Sequence, residues 1–504
     1  MAPIKLAIIG AGPSSFYVAS RLLSLLPPTS PRHSAINIHM YDRLWAPHGL
    51  VRYGVAPDHP EVKNCTNKFD GTAKDPRLRF FGNVNVTTTA AASPIPHNLS
   101  LPFSSLLQNY THLLFSSGCT IPTLHPALPP SDRCVPALSF VHWYTQHPSV
   151  ADKPPPPLER LEHVSIIGQG NVSLDVARML LTPPSTLEKY DVPNNVLDVL
   201  RKSAVKHVSI VGRRGPLEAA FTTKELREMM NLEVASMEPL DPGLLLVPEG
   251  EKLTRQQQRT MQLLQKGSKN KPGSTPKTWS FEFFRSPTHL APAPEDTKSS
   301  AYPLSLTLAH NTLSETKRAV PTGASSTLRT SMVVTSLGHH GEPSAWYDSA
   351  LGHIRTVGGR VVNEHGQTLR NVYASGWAAM GARGVLASTM MDAYAVADTI
   401  LSDAFPGEFR KDDGDALGSV VPLGDVSKSA EPVLAGSVTS PDSPPAEVVR
   451  GLEDGVVTSY EDWKMVDAEE VRRGEVCGKE RERMGWEEAR RFLQAKCGDS
   501  VAQS

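Results

Sequence analysis

Three short apolar runs, each closed by glycine, punctuate the first half of the chain: IKLAIIG at 4–10, HVSIIG at 163–168 and VKHVSIVG at 205–212. The first two feed into runs with helical spacing, SFYVASRLLSLL at 15–26 and VSLDVARMLL at 172–181. Strands alternating with helices predict a parallel sheet with crossover connections, hence an α/β fold. Pro-rich connectors separate these blocks at 121–157, and 266–278 (KGSKNKPGSTPKT) reads as a basic loop. Residues 406–457 are rich in Gly, Asp, Ser and Pro with little apolar period, which predicts a disordered insertion. Order is expected to resume in a helix over 459–476, where Ser459 and Asp462 suit a capping box, and in the helical run GWEEARRFL. One stretch fits no period: HGLVRYGVAPDHPEVKN, residues 48–64, an irregular loop with two histidines.

At 504 residues the chain has room for two or three domains. It is 39% hydrophobic and 20% charged with a net charge of −1, a balance that points to neither a nucleic-acid binder nor a membrane-surface protein. No apolar run reaches the roughly 20 residues of a membrane span. The five cysteines (Cys65, Cys119, Cys134, Cys477, Cys497) are scattered and form no C-x-x-C, so neither a redox dithiol nor a thiolate metal site is expected.

The glycines after two of the strands have a chemical reading. Gly10-Ala-Gly12-Pro-Ser14-Ser15 lies between strand and helix, where two glycines let a pyrophosphate approach unpaired N–H groups. The next strand, INIHMY, ends at Asp42, an acid placed to accept hydrogen bonds from an adenosine ribose. The second motif is Gly168-Gln169-Gly170-Asn171-Val172-Ser173. Its following strand ends in Gly212-Arg213-Arg214-Gly215, and paired guanidiniums bind a 2′-phosphate that a carboxylate would repel. Two such motifs point to FAD at the first and NADP(H) at the second, and so to hydride transfer from nicotinamide to flavin. The chain lacks the C-x-x-C of disulfide reductases and the N-terminal cysteine clusters of the glutamate synthase reductase subunit. An external acceptor, a one-electron protein, is the remaining expectation.

Several longer stretches carry a more specific likeness: GLVRYGVAPDHPEVKN, GQGNVSLDVARMLLTPP (168–184), VGRRGPLEAAFTTKELREM (211–229), FFRSP (283–287), RAVPTG (318–323) and DWKMVDAEEVRRG (462–474). Together they resemble the adrenodoxin reductase family of NADPH–ferredoxin reductases, from residue 4 to about 405 and again from 459. The resemblance implies two Rossmann-like dinucleotide-binding domains, the NADP domain inserted into the FAD domain. On this chain that means FAD domain over 1–118, NADP domain over 119–339, FAD domain again over 340–405, and a C-terminal helical segment of the FAD domain over 458–504.

Carried over residue by residue, the resemblance places Ser14, Asp42, Leu50, Val86, Trp377, Gly384, Val385 and Leu386 on FAD, beside Gly10 and Gly12. It places Gln169, Gly170, Asn171, Val172, Arg213, Arg214 and Glu225 on NADP, and His59 with Asp175 beside the isoalloxazine ring, where an imidazole could manage the proton of reduced flavin. The irregular loop would then follow a flat ring, with Leu50 and His59 turned toward it. The partner implied is an acidic [2Fe–2S] ferredoxin docking on Arg227, Arg255 and Arg259, serving haem monooxygenases or iron–sulfur assembly. A monomer without bound metal is expected. Two alternatives stay open: a specialised relative reducing another acceptor, and a catalytically degenerate flavoprotein acting as an interaction subunit.

The chain departs from the family pattern around the cleft. Ala379 or Met380 stands where a Lys or Arg is usual, Gly381-Ala-Arg383-Gly384 replaces Gly-Pro-Thr-Gly, Ser117-Gly118-Cys119 replaces Tyr-Gly-Ala, and GHHGE (338–342) replaces an aromatic, Lys-containing turn. The family implies a mitochondrial location; the first strand begins at residue 4 with no Arg-rich segment before it, which by itself argues for the cytoplasm.

Overall fold

The structure, a computed structural model, describes residues 3–88, 93–247, 250–293, 303–409, 433–434, 440 and 442–502. The run IKLAII forms the strand Ile4–Ile9, paired in parallel with Ile36–Tyr41 on one side and His112–Phe115 on the other. Helices cover both faces of such a central strand, which is why its sequence is continuously apolar instead of alternating. Leu78–Phe81 extends the sheet at one edge, and Thr368–Ala374, Arg360–Val362 and Thr356–Val357 extend it at the other, giving seven strands. Helices Pro13–Leu25 and Leu386–Ala404 pack together against this sheet.

The chain leaves the first sheet after Phe115 and builds a second, all-parallel one before returning at Thr356. Its order is Ala235–Met237, Lys277–Glu282, His207–Val211, His163–Ile167, Met332–Thr335 and Cys134–Pro136. The fold is therefore α/β, with one Rossmann-like sheet inserted into the other. The outgoing and returning chains meet in a short antiparallel pair, Ile121–Pro122 with His339–His340. The altered GHHGE turn is this returning connection; its Glu342 takes two hydrogen bonds of 2.8 Å from Arg43 of the first domain.

The disorder expected over 406–457 needs correction. Residues 410–432, 435–439 and 441 lie outside the described residues. Ala446–Glu453, however, is a helix with Val448 fully buried, and Gly451 fits closely against Val457. The approach to it is anchored by Lys5, whose Nζ donates to the carbonyls of Ser440 (2.9 Å) and Ser443 (2.7 Å). A short amphipathic element between polar stretches leaves too little apolar period to register in sequence.

Ile400 is fully buried between its helix and the first sheet. Ile400→Ala is expected to cost about 2–5 kcal/mol in urea unfolding; a loss well under that range would mean this helix is not part of the core.

Candidate functional site

Both glycine motifs form the turn that their chemistry needs. Gly10 has φ +108°, and a Cβ there would lie 2.6 Å from the Ser116 carbonyl oxygen, so glycine is obligatory. Gly168 repeats the arrangement at φ +133° against Ser336. Gly12 and Gly170 then precede the helices Pro13–Leu25 and Asn171–Leu181. Neither helix has a side-chain cap or an acidic residue in its first turn. Helices Arg255–Lys266 and Tyr460–Cys477, by contrast, carry full capping boxes. An uncapped helix end presents unsatisfied N–H groups and the positive end of the helix dipole to an incoming anion.

A cavity of about 340 Å³ opens at the first of these ends. Gly10, Gly12, Ser14, Asp42, Leu50, Val86, Trp377, Gly384, Val385 and Leu386 all line it, so every residue expected at FAD reaches one continuous wall. Asp42 is occupied in part: its carboxylate accepts from the N–H of Ala11 at 2.6 Å and of Leu44 at 2.8 Å, pinning the glycine turn from below. Burial pushes its carboxyl above the ordinary aspartate value, against those two hydrogen bonds. Asp392 holds the opposite wall, accepting from Ser375 Oγ (2.9 Å) and from Gly376 N (2.7 Å), while Ser375 hydrogen-bonds Ser14. Ser116 Oγ is buried at this wall with no partner among the described residues, an open valence for a polar ligand.

Of the altered positions, Ala379 is buried in the core beside the cavity, so a small apolar residue is what the packing there accepts. Arg383 is exposed, and its carbonyl accepts from Trp377 Nε1 at 3.2 Å. Cys119 lines the cavity with its Sγ 3.6 Å from the Trp377 carbonyl, and burial pushes its thiol up to about 11. It is therefore a neutral thiol at physiological pH.

The second motif faces the same cavity from the other domain: Val172, in the first turn of its helix, is part of the wall. Gln169 lies against Gly212, and its Nε2 is buried without a partner among the described residues. Asn171 Oδ1 accepts from Thr222 N at 2.8 Å, holding the next helix in place. Arg213 is exposed and Arg214 half-buried; Asn311 and Phe284 donate to their backbone carbonyls, leaving both guanidiniums free to reach outward. Two anion-ready helix ends, an unpaired amide and an adjacent guanidinium pair fit two dinucleotides.

The placement of His59 differs from expectation. Leu50, Tyr53 and Gly54 of the irregular loop do line the cavity, but His59 and Asp175 are not on its wall. The loop runs on past the cavity and docks onto the second domain. His59 Nε2 lies 2.5 Å from Glu228 Oε2 and 3.8 Å from Glu225. Beside it, Arg178 holds Asp58 through Nε (2.6 Å), Asp175 through Nη2 (2.8 Å) and Glu225 through Nη1 (3.0 Å). Lys224 pairs with Glu61 at the rim. His59, Asp175 and Glu225 bring ligand atoms within 4.8 Å of one another, but the cation these carboxylates surround is the Arg178 guanidinium. Burial is the largest single effect on His59 and opposes its charging, yet the bond to Glu228 together with the Asp58 and Glu225 carboxylates holds the imidazole above its ordinary value. Burial, helped by Asp175, pushes Glu225 up to about 7. Glu225, expected at NADP, is thus first a member of this ion network. Arg178 and Glu228 were missed in the sequence because nothing local distinguishes a buried ion pair from a solvated helix face.

Arg227, Arg255 and Arg259 are exposed on two helices, Thr223–Met230 and Arg255–Lys266, that pack against each other. No helix among the described residues is long and apolar enough to cross a membrane.

Fold and site together define an NADP-linked flavoprotein oxidoreductase. No protein-family profile matches the chain. Individual relatives do. The chain is 35% identical over 500 residues to bovine mitochondrial NADPH:adrenodoxin oxidoreductase, covering 95% of this chain and 90% of that one. It is 32% identical over 411 residues to NADPH-ferredoxin reductase FprA of Mycobacterium tuberculosis, covering 80% and 84%. A structure of M. tuberculosis FprA in complex with NADPH superimposes with a TM-score of 0.76 at 29% identity, covering 98% of this chain and all of that one. The chain belongs to the adrenodoxin reductase family.

A carboxyl raised by folding binds more proton in the folded than in the unfolded chain. Its contribution to stability is complete below its ordinary value and is lost as pH rises through its folded value. The stability of the wild type relative to Glu225→Gln is therefore expected to fall between pH 4.5 and about 7, measured by thermal unfolding at each pH. A difference that stays flat across that window would contradict the placement of Glu225 in the network.

Proposed function

We propose that the protein oxidises NADPH by hydride transfer to FAD and passes the electrons singly to an acidic [2Fe–2S] ferredoxin. The observation carrying this reading is that Val172, from the second glycine motif, lines the cavity built on the first. The two dinucleotide sites share a wall, as a hydride donor and acceptor must.

When bound, FAD would supply the hydride acceptor and the step from two-electron to one-electron chemistry. Gly10, Gly12 and the N-terminus of Pro13–Leu25 would hold its pyrophosphate, and Asp42 retains lone pairs for the ribose hydroxyls. Val86, Leu50, Trp377, Gly384, Val385 and Leu386 shape the remaining wall. On the NADP side, the helix end at Gly170–Val172 takes the pyrophosphate and Gln169 Nε2 gains a partner. Arg213 and Arg214 clamp the 2′-phosphate through charge-assisted hydrogen bonds. His59 and Asp175 would act from outside the cavity wall: the His59–Glu228 pair, with Glu225, would hold a proton close to the seam between the domains. Arg227, Arg255 and Arg259 offer a cationic surface to the ferredoxin. The mitochondrial labels of the mammalian relatives support that compartment, where such a partner would be reduced.

Replacing Arg213 and Arg214 by alanine is expected to raise the Michaelis constant for NADPH at least tenfold while changing that for NADH little. Equal effects on both nucleotides would sink the 2′-phosphate assignment. With a [2Fe–2S] ferredoxin and cytochrome c added, Arg255→Glu with Arg259→Glu should depress cytochrome c reduction and leave NADPH-dependent reduction of ferricyanide intact. Unchanged cytochrome c reduction would remove the docking surface from the account.

A further inference from the structure

We infer that Arg483 and Asp191 are positioning residues for the hydride transfer proposed above, locking the angle between the two dinucleotide-binding domains through a strap formed by residues 479–484. The inference rests on that functional reading only for its consequence in rate.

The strap begins where helix Tyr460–Cys477 ends at Gly478, in the left-handed conformation. The helix itself is fastened to the first domain. Glu470, fully buried, accepts both Nη1 (2.9 Å) and Nη2 (2.7 Å) of Arg52 from the irregular loop. The Arg52 guanidinium lies over Trp463 at 4.7 Å and Tyr53 at 5.1 Å. Beyond Gly478 the chain turns back across the second domain. Lys479 Nζ donates to the Val192 carbonyl (2.7 Å) and to Asn194 Oδ1 (3.0 Å). Arg483 grips Asp191 with Nε (2.7 Å) and Nη2 (2.5 Å), and its Nη1 donates to the Thr145 carbonyl (2.6 Å). The Arg483 and Asp191 side chains are only 1% and 5% exposed.

Two further contacts close the circuit. Glu470 Oε1 also accepts from Met484 N at 2.9 Å, so one carboxylate holds both the loop and the far end of the strap. Asp191 also accepts from Lys63 Nζ at 3.2 Å, and Lys63 lies four residues after His59 on that same loop. Loop, second domain and strap therefore form a ring of contacts in which Asp191 and Glu470 are the nodes.

Buried ion pairs add little net stability, because desolvation offsets their attraction, but they are strongly geometry-dependent. Two domains joined by a pair of connecting segments can rotate about them. The Arg178 cluster is one restraint on that rotation; the ring is a second, and together they narrow how the Val172 helix end meets the cavity. An error of about 1 Å in the approach of reacting groups can cost on the order of a hundredfold in rate.

The test uses the full chain with Cys65, Cys477 and Cys497 replaced by serine and spin labels placed at Glu364→Cys in the first domain and Lys202→Cys in the second. The interdomain distance distribution is measured by double electron–electron resonance, and flavin reduction by stopped flow at saturating NADPH. The double substitution Arg483→Met, Asp191→Leu removes both partners of the lock; of the charges it held, only Lys63 remains, on a side chain 17% exposed. It should broaden the distance distribution and slow flavin reduction at least tenfold, while FAD content and the affinity for 2′,5′-ADP stay as in the parent. Arg483→Lys, which keeps the charge but loses the fork, should lie between the two and covers the case in which the double variant does not fold. A distribution as narrow as the parent's, with an unchanged reduction rate, would overturn the proposal. A broadened distribution in a protein whose parent shows no reduction by NADPH would sustain the lock and overturn the reductase reading instead.

Discussion

The structure turns on guanidiniums buried at the seam between its two sheets. An arginine removed from water must be surrounded by carboxylates and carbonyls, or the chain will not close over it. Arg178 draws Asp58 from one domain against Asp175 and Glu225 from the other, Arg483 of the C-terminal strap holds Asp191 of the second domain, and Arg52 holds Glu470 within the first. Partners in different segments satisfy each of these charges, so the arrangement of segments is specified more narrowly than apolar packing alone would require. The irregular loop at 48–64 is the clearest product. Leu50 and Tyr53 face the cavity, Arg52 faces helix Tyr460–Cys477, and Asp58, His59, Glu61 and Lys63 face the second domain. Leu50, Arg52 and Tyr53 sit on the short helix Leu50–Tyr53, whose side chains radiate to different sides, and the chain beyond it carries the other four to the second domain.

The cofactor-side chemistry follows from what the helices lack. The helix ends after Gly12 and Gly170 carry neither a side-chain cap nor an acidic residue, unlike those capped by Ser459 with Asp462 and by Thr254 with Gln257. Residues of both first turns, Pro13 and Ser14 from one and Val172 from the other, line one cavity. The departures from the family pattern at Ala379, Cys119 and Glu342 are each absorbed by local packing or by a hydrogen bond, without closing the cavity. Arg383 is exposed beside Gly384 of the wall.

Much of this was legible in the sequence because it is local. The strand–glycine–helix pattern at Gly10 and Gly168 specifies its own geometry within a few residues, and the cavity wall is built on it. The helix at 446–453 was not legible, since its burial comes from Leu99 and Val457, the first distant in sequence. His59 was recognised as a special residue, but its partner Glu228, 169 positions away, was not. Arg52–Glu470 and Arg483–Asp191 were invisible for the same reason: an ion pair across hundreds of residues leaves no period, spacing or composition to read.

The most direct measurement for the central claim is an anaerobic titration of the purified protein, with its bound flavin, against NADPH. The shared wall at Val172 predicts that about one equivalent of NADPH bleaches the flavin absorbance fully, with two electrons passing directly between the sites. A flavin that stays oxidised under excess NADPH, yet bleaches with dithionite, would contradict it.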